Sequence, residues 1–229
     1  MSTTHTKTYN SYHFESPSNI ANQQLKQLIR FFKLPKNSVN PALGGRTSIT
    51  VTRLQGIGSV VIKYYRRGGA IRYLIKQRYL KCGKTRCQIE YELLQKVRGL
   101  GINAPEPVAF AYRGRLFYQC WLVTREVQDH QTLAQLSRSN QEQARMAMKA
   151  VIEQVSMLIR NKILHVDLHP GNVIVDNQNQ VYLLDFDKGG IFNGNKNALR
   201  TRYLRRWNRA IQKHGLPEIL SEVNGFNSL

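Results

Sequence analysis

The period of the apolar positions changes several times along the 229 residues. Residues 1–15 are polar and predict a loose start. Ser16-Pro17 then predicts a helix opening, with the serine as N-cap and proline at the first helical position. Ile20, Leu25, Leu28, Ile29 and Phe32 form its apolar stripe, and Pro35 ends it. From Thr47 to Thr52 the period is two, and Gly58 to Tyr65 is rich in β-branched and aromatic residues. With the turn Gln55-Gly56-Ile57-Gly58 between them, these segments predict a hairpin. The stretch from about Gly69 to Leu100 is basic and reads as helical, with Ile89, Leu93, Leu94 and Val97 on one face. Gly99-Leu100-Gly101 and Pro105-Glu106-Pro107 break that pattern. Two further strands follow, Val108 to Tyr112 and Leu116 to Thr124, joined at Arg113-Gly114.

From about Gln128 the pattern turns helical. Ala144, Met148, Val151, Val155, Leu158 and Ile159 keep the 3.6 period behind Asn140, a suitable N-cap. Two short strands come next, Val173-Ile174-Val175 and Val181 to Leu184, across the turn Asp176 to Asn179. The tail from Asn195 to Phe226 is helical and basic. The expected class is α+β. Residues 1–125 form a small antiparallel sheet with one long helix, and residues 126–229 form a helical portion with a small hairpin. That arrangement places a ligand at the junction.

Composition narrows the reading. Hydrophobic residues make up 41% of the chain, enough for a real core. The three cysteines, Cys82, Cys87 and Cys120, are odd in number and form no Cys-x-x-Cys pair. A disulfide framework or a zinc site is therefore not expected, and buried thiols in a reducing compartment are. The polar N-terminus lacks the apolar core of a Sec signal peptide. No run approaches the roughly 18 apolar residues of a transmembrane helix. A soluble or peripheral protein is expected.

The strongest chemical signal is His165-Val166-Asp167-Leu168-His169-Pro170-Gly171-Asn172, followed by the short hairpin and Leu184-Asp185-Phe186-Asp187. Phosphoryl transfer needs metal ions on the phosphate oxygens and a carboxylate that orients the attacking hydroxyl. A carboxylate on a loop, an amide five residues later and a second carboxylate after a hairpin meet those needs. Asp167 is the candidate base, and Asn172 and Asp185 are candidate ligands for Mg²⁺, which prefers hard oxygen donors. Taken singly, Asp167 and Asn172 are ordinary turn residues; it is the combination that points to chemistry.

His-x-Asp-x-x-x-x-Asn followed by Asp-Phe-x resembles the catalytic loop and metal-binding motif of protein-kinase-like enzymes. That resemblance implies a two-lobed fold and ATP as phosphate donor. It places Lys63, in Val61-Ile62-Lys63, against the α- and β-phosphates, held by an ion pair to Glu90. Gly44 and Gly45 fall in the phosphate-covering loop Leu43 to Thr47. Thr124-Arg125-Glu126-Val127 becomes the hinge, with the backbone of Glu126 and Val127 reading the adenine. The combination of Gly-Gly-Arg-Thr, Ile-Lys-Tyr-Tyr-Arg-Arg-Gly-Gly, Arg-Tyr-Leu, Glu-Tyr-Glu-Leu-Leu, Pro-Glu-Pro-Val-Ala, the catalytic loop and Leu-Leu-Asp-Phe-Asp-Lys is narrower. It resembles the bacterial lipopolysaccharide core kinases, most of all those acting on 3-deoxy-D-manno-octulosonic acid (Kdo), from about Gly44 to Lys213. This resemblance implies ATP- and Mg²⁺-dependent phosphorylation of a Kdo hydroxyl in the lipid A–inner core precursor, at the cytoplasmic face of the bacterial inner membrane. A heptose kinase or an aminoglycoside-type kinase shares the loop and is the alternative. Val166 stands where protein kinases carry arginine and Asp187 where they carry glycine, and no Ala-Pro-Glu follows. A small or membrane-presented acceptor fits better than a protein substrate. His165 is read as a structural brace, and the role of His169 is left open.

Charge bears on the partner. There are 34 Lys and Arg against 14 Asp and Glu, a net +20. Lys63, Arg66, Arg67, Arg72, Lys76, Arg78, Lys81, Lys84 and Arg86 run without an intervening acid, as do Lys196, Arg200, Arg202, Arg205, Arg206, Arg209 and Lys213. Tyr64, Tyr65, Tyr73, Tyr79, Tyr203 and Trp207 interleave with these cations and suggest an interfacial belt. An anionic inner-membrane surface and an anionic Kdo–lipid A glycolipid are the expected partners. The same charge suits a nucleic-acid-binding protein or a pseudokinase that only binds a membrane. No helix-turn-helix, RRM or KH pattern supports nucleic acid, and the presence of Lys63, Glu90, Asp167, Asn172 and Asp185 together speaks against a pseudokinase. No obligate protein partner is inferred.

Overall fold

The computed structural model describes residues 4–34, 48–65, 79–80 and 83–221. They fall into two compact units. The described residues up to 92 and those of 106–126 form the first, and 93–105 with 127–221 form the second.

The first unit is built on antiparallel strands: β1 His5–Tyr9, β2 Tyr12–Ser16, β3 Ser48–Leu54, β4 Gly58–Tyr64, β5 Tyr79–Leu80, β6 Pro107–Arg113 and β7 Phe117–Arg125. Their order is β1-β2-β6-β7-β4-β3, with β5 also paired to β7. The expected β3–β4 and β6–β7 hairpins are present, the second with a β-bulge between Pro107 and Ala109. Gly114 makes the second of these turns possible: its φ is +111°, and a Cβ there would clash with the Phe117 carbonyl oxygen.

The N-terminal segment corrects the sequence reading. Residues 5–16 form a hairpin, not a loose start. Tyr12 and Phe14 alternate inward while β2 pairs with β6, so a period of two prevails over a short polar stretch. Ser16 caps no helix; it ends β2, and its Oγ donates to the Ser18 carbonyl at 2.6 Å. Helix α1 runs over Asn22–Lys33 with Ala21 as N-cap, and the Gln24 side chain accepts from the Ala21 N–H at 2.9 Å. Its buried stripe is Leu25, Leu28, Ile29 and Phe32, as expected. These residues pack with Tyr12, Phe14, Val60, Ile62, Tyr64 and Trp121, the last stacked on Phe32 at 4.5 Å. Apolar burial of this size is what offsets the entropy of ordering the sheet.

Helix α2 covers Arg86–Gly99. The basic stretch before it is not wholly helical, because Tyr79–Leu80 pairs with β7. The helix's inner line is Cys87, Glu90, Tyr91, Leu94 and Val97, whereas Ile89 is 43% exposed. A buried glutamate takes a place that hydrophobicity assigns to isoleucine.

The second unit holds β8 His130–Thr132, α3 Leu133–Ser139, α4 Gln141–Arg160, β9 Ile163–Leu164, β10 Val173–Asp176, β11 Val181–Leu183, β12 Gly190–Ile191 and α5 Lys196–His214. Strand β10 lies between β11 and β8, and β12 pairs with β9. The side chain of Asn140 caps α4, that of Thr132 caps α3 and that of Asn195 caps α5. The α4 stripe Ala144, Met148, Val151, Val155, Leu158 and Ile159 is buried, as its period predicts. No helix among the described residues is long and apolar enough to cross a membrane.

Four of the aromatics expected at a membrane surface are core residues instead, and Tyr79 is half-buried. Tyr203 and Trp207 are at most 1% exposed, and Tyr64 and Tyr65 at most 4%. Trp207 Nε1 donates to the Leu220 carbonyl at 2.8 Å. Their spacing along α5 is that of a buried stripe, with cations on the other faces. Cys87 and Cys120 are buried free thiols; Cys82, Tyr73 and the basic residues from Arg66 to Arg78 and at Lys81 lie outside the described residues.

Candidate active site

In the first unit, Lys63 lies on β4 opposite Leu122 of β7. Its strand neighbours Ile62 and Tyr64 face the α1 core, so Lys63 projects from the other face. There its Nζ donates to both oxygens of Glu90, each at 2.8 Å. The Tyr65 hydroxyl also donates to Glu90 Oε2. Lys63 Nζ stands 5.2 Å from the Tyr65 ring centroid. Burial, and then the Glu90 charge, push the Tyr65 hydroxyl well above the usual tyrosine range, so it stays protonated and serves as a donor. The expected Lys63–Glu90 pair is therefore formed. Gly44 and Gly45, expected to cover the phosphates, lie outside the described residues.

At the end of β7 the Glu126 N–H donates to the Ser59 carbonyl at 3.1 Å, and Ser59 Oγ donates to Glu126 Oε2. Glu126 is thus fixed to the start of β4. In the second unit the Val127 carbonyl accepts from His130 Nδ1 at 2.6 Å.

The loop 165–172 is anchored by what it buries. Leu168 is fully buried, and Pro170 opens a 3-10 turn whose first N–H is capped by the ring of His169: Gly171 N–H donates to His169 Nδ1 at 3.1 Å. Because Nδ1 accepts, the neutral ring carries its proton on Nε2. Asn172 closes the loop. Its Nδ2 donates to the Asp167 carbonyl at 2.9 Å, and its own carbonyl accepts from Leu184 N–H at 2.8 Å. A second tie runs from His165, whose Nε2 donates to the Leu184 carbonyl at 2.8 Å. His165 is 1% exposed, lies 4.6 Å from the Phe186 ring, and receives its own backbone orientation from the Tyr203 hydroxyl. Burial lowers its pKa, since a charged ring here would be desolvated with Nδ1 lacking a partner. These contacts are those of a structural brace.

Asp167, Asn172 and the residue preceding Asp185 are therefore tied into one loop cluster. Asp185 itself has a φ of +63°, a left-handed backbone that is uncommon for a non-glycine residue and concentrates at functional sites. With its Nδ2 used as a donor, Asn172 would offer Oδ1 as an oxygen ligand, and Asp185 would offer a carboxylate. This hard-oxygen donor set fits Mg²⁺. The two would hold the ion, which would neutralise charge on the phosphate oxygens.

Asp167 has a partner that the sequence reading assigned elsewhere. Arg206 of α5 donates through Nε at 2.7 Å and through Nη2 to the same oxygen, Oδ1. His169 Nε2 stands 3.7 Å from Oδ2. His169 and Arg206 hold the Asp167 carboxyl well below the usual carboxylate range, against partial burial. At 3.7 Å the histidine lies beyond good hydrogen-bond reach, so the Arg206 contacts are the firmer ones. Arg206 was grouped with the surface cations of the tail. A signal was available: it sits three residues after Tyr203 and four before Ala210, on the rim of the buried stripe, unlike Arg202, Arg205 and Arg209, which are exposed.

The lipopolysaccharide kinase (Kdo/WaaP) family profile matches residues 30–219. The chain is 31% identical over 156 residues to the 3-deoxy-D-manno-octulosonic acid kinase of Vibrio vulnificus strain YJ016, covering 67% of this chain and 65% of that protein. It is 30% identical over 151 residues to the kinase of the same name from Xylella fastidiosa strain M23, covering 65% and 59%. With that of Photobacterium profundum it shares 31% over 161 residues, covering 67% and 65%. The chain thus spans less than two thirds of the length of these curated relatives. The profile match takes in the Lys63–Glu90 pair, the tied loop and Asp185 alike, and by it the chain belongs to the lipopolysaccharide kinase (Kdo/WaaP) family.

Proposed function

We propose that the chain is an ATP-dependent kinase that phosphorylates a hydroxyl of Kdo in the lipid A–inner core lipopolysaccharide precursor. Its fold is read as kinase-like and two-lobed, with the nucleotide-binding parts in residues 1–125 and the catalytic loop in 126–229. The observation that carries the reading is the loop tie: Asn172 bonded to the Asp167 carbonyl and to Leu184, one residue before Asp185. The names of the relatives supply the acceptor.

Asp167 accepts the proton of the acceptor hydroxyl as its oxygen attacks the γ-phosphorus and ADP departs. Asn172 and Asp185 would hold Mg²⁺, whose charge would support the phosphate oxygens. Lys63, kept in place by Glu90, binds the α- and β-phosphates, Gly44 and Gly45 cover them, and the backbone at Glu126 and Val127 receives the adenine. The protein acts as a peripheral enzyme on the cytoplasmic face of the inner membrane. Since Tyr203 and Trp207 are buried, attraction rests on exposed cations such as Arg202, Arg205 and Arg209, each contributing about 1 kcal/mol near an anionic surface.

A radiolabelled-ATP assay with Mg²⁺ tests the reading, comparing a Kdo-terminated lipid acceptor, a heptosylated one and an aminoglycoside. Label is expected in the Kdo acceptor; label confined to the aminoglycoside overturns the assignment. Asp167→Asn should lower transfer by roughly 10²- to 10⁴-fold with the urea midpoint little changed. Full turnover in that variant removes Asp167 from its role.

A further inference from the structure

The resting geometry presents a difficulty for the proposed base. One oxygen of Asp167 already receives two bonds from the Arg206 guanidinium, and the other faces His169 Nε2. A hydroxyl approaching Asp167 must find an oxygen that those side chains have released. The pair is built to allow that release: the Arg206 side chain is 34% exposed and that of Asp167 43%. A charge pair open to water exchanges partners at small cost, unlike a buried one.

The surroundings indicate what draws Arg206 away. Arg138 of α3 donates to the His214 carbonyl at 2.7 Å, at the end of the helix that carries Arg206. Protonation of His214 is disfavoured by desolvation first and then by its neighbours Lys213, His169, Arg138 and Arg206, so this end of the helix is electropositive. A planar guanidinium matches a carboxylate or phosphate through paired bonds.

We propose that Arg206 is the acceptor-recognition residue of this site, shared between Asp167 in the free protein and an oxyanion of the acceptor sugar in the complex. An anionic acceptor thereby uncovers the base that deprotonates its own hydroxyl. This rests on the reading of Asp167 as base, and it adds a selection rule: a neutral acceptor leaves Arg206 on Asp167 and is turned over poorly, even when it fits.

The test uses the full chain, Mg-ATP and three acceptors: the Kdo-terminated lipid, the same lipid with the Kdo carboxylate converted to its methyl ester, and the acid form with the lipid phosphates removed. The wild type is expected to prefer the acid over the ester by about 10- to 100-fold in kcat/KM, with the KM for ATP unchanged. In Arg206→Ala the preference should collapse toward one, because the acid loses its partner while the ester meets an uncovered Asp167. The ester should be turned over at least as fast by the variant as by the wild type. Arg206→Lys should keep part of the preference, and added methylguanidinium should restore some of it to the alanine variant. Discrimination that follows the lipid phosphates and not the carboxylate also supports an oxyanion at Arg206, and assigns it to the phosphate. A wild-type acid-to-ester ratio near one, with phosphates making no difference, overturns the proposal even if every variant fails to fold. Equal losses on all acceptors in Arg206→Ala reduce Arg206 to a structural prop and overturn it too. In both cases transfer to Kdo persists and the kinase reading stands. Absence of transfer to every acceptor by the wild type defeats that reading, and this proposal with it.

Discussion

The Lys63–Glu90 and Asp167–Arg206 pairs carry the same formal charges but sit in different media. Lys63 is 14% exposed and Glu90 3%, whereas Arg206 is 34% exposed and Asp167 43%. In the first unit neither charge can leave its partner without being stranded in the interior, and the Tyr65 hydroxyl adds a third bond to Glu90. In the second, water or a ligand can replace either partner. One pair holds a side chain at a fixed place; the other holds it until something better arrives.

The sharpest way to break this contrast is Glu90→Gln. Removing one partner of the buried pair should destabilise the protein by about 3–5 kcal/mol, read as a fall in the urea midpoint. Replacing both partners, as Lys63→Met with Glu90→Leu, should recover most of that stability while ATP-dependent transfer stays lost. A single variant as stable as the wild type would place the pair with ordinary surface charges.

Acid separates the two regions by a different route. The folded protein lowers the pKa of His165 by burying it, so the folded state binds fewer protons there than the unfolded chain. The stability this contributes is fully present above the usual histidine value of 6.5 and is lost as pH falls through the lowered one. The Asp167 pKa is lowered from 3.8, so its contribution is present above that value and disappears only in stronger acid. Between pH 7 and 5 the midpoint should therefore fall, with the buried His165 contributing more than the less buried His214. His165→Gln, which keeps a donor for the Leu184 carbonyl, should flatten that slope; an unchanged slope would assign it to another group. The smallest effect is expected for Arg206→Ala, about 1 kcal/mol or less in stability, a loss measurable by the same titration.

Much of this molecule was legible from its residues because periodicity and caps agree locally. The β3–β4 hairpin, the β10–β11 hairpin and the α4 stripe behind Asn140 all combine a clear period with turn or cap residues. The β1–β2 hairpin was hidden because its inward pattern rests on Tyr12 and Phe14 alone, and because Ser16-Pro17 carries a helix-start signature that the sheet overrides. The inner face of α2 was misjudged at Ile89 because a buried Glu90 is explained by a lysine 27 residues away and a tyrosine 25 residues away. Of the candidate site, Asp167, Asn172 and Asp185 were found by spacing. Arg206 was not, since its partner lies 39 residues back and a cation within a basic run looks like its neighbours.

The left-handed backbone at Asp185 has a practical consequence. An L-residue held at a φ of +63° gives up about 1–2 kcal/mol that glycine does not. Asp185→Gly therefore relieves the chain at the very position where it deletes a hard-oxygen donor. The result should be an inert replica of the enzyme: as resistant to urea as the parent, able to retain a glycolipid in a vesicle pull-down, and silent in the labelled-nucleotide assay.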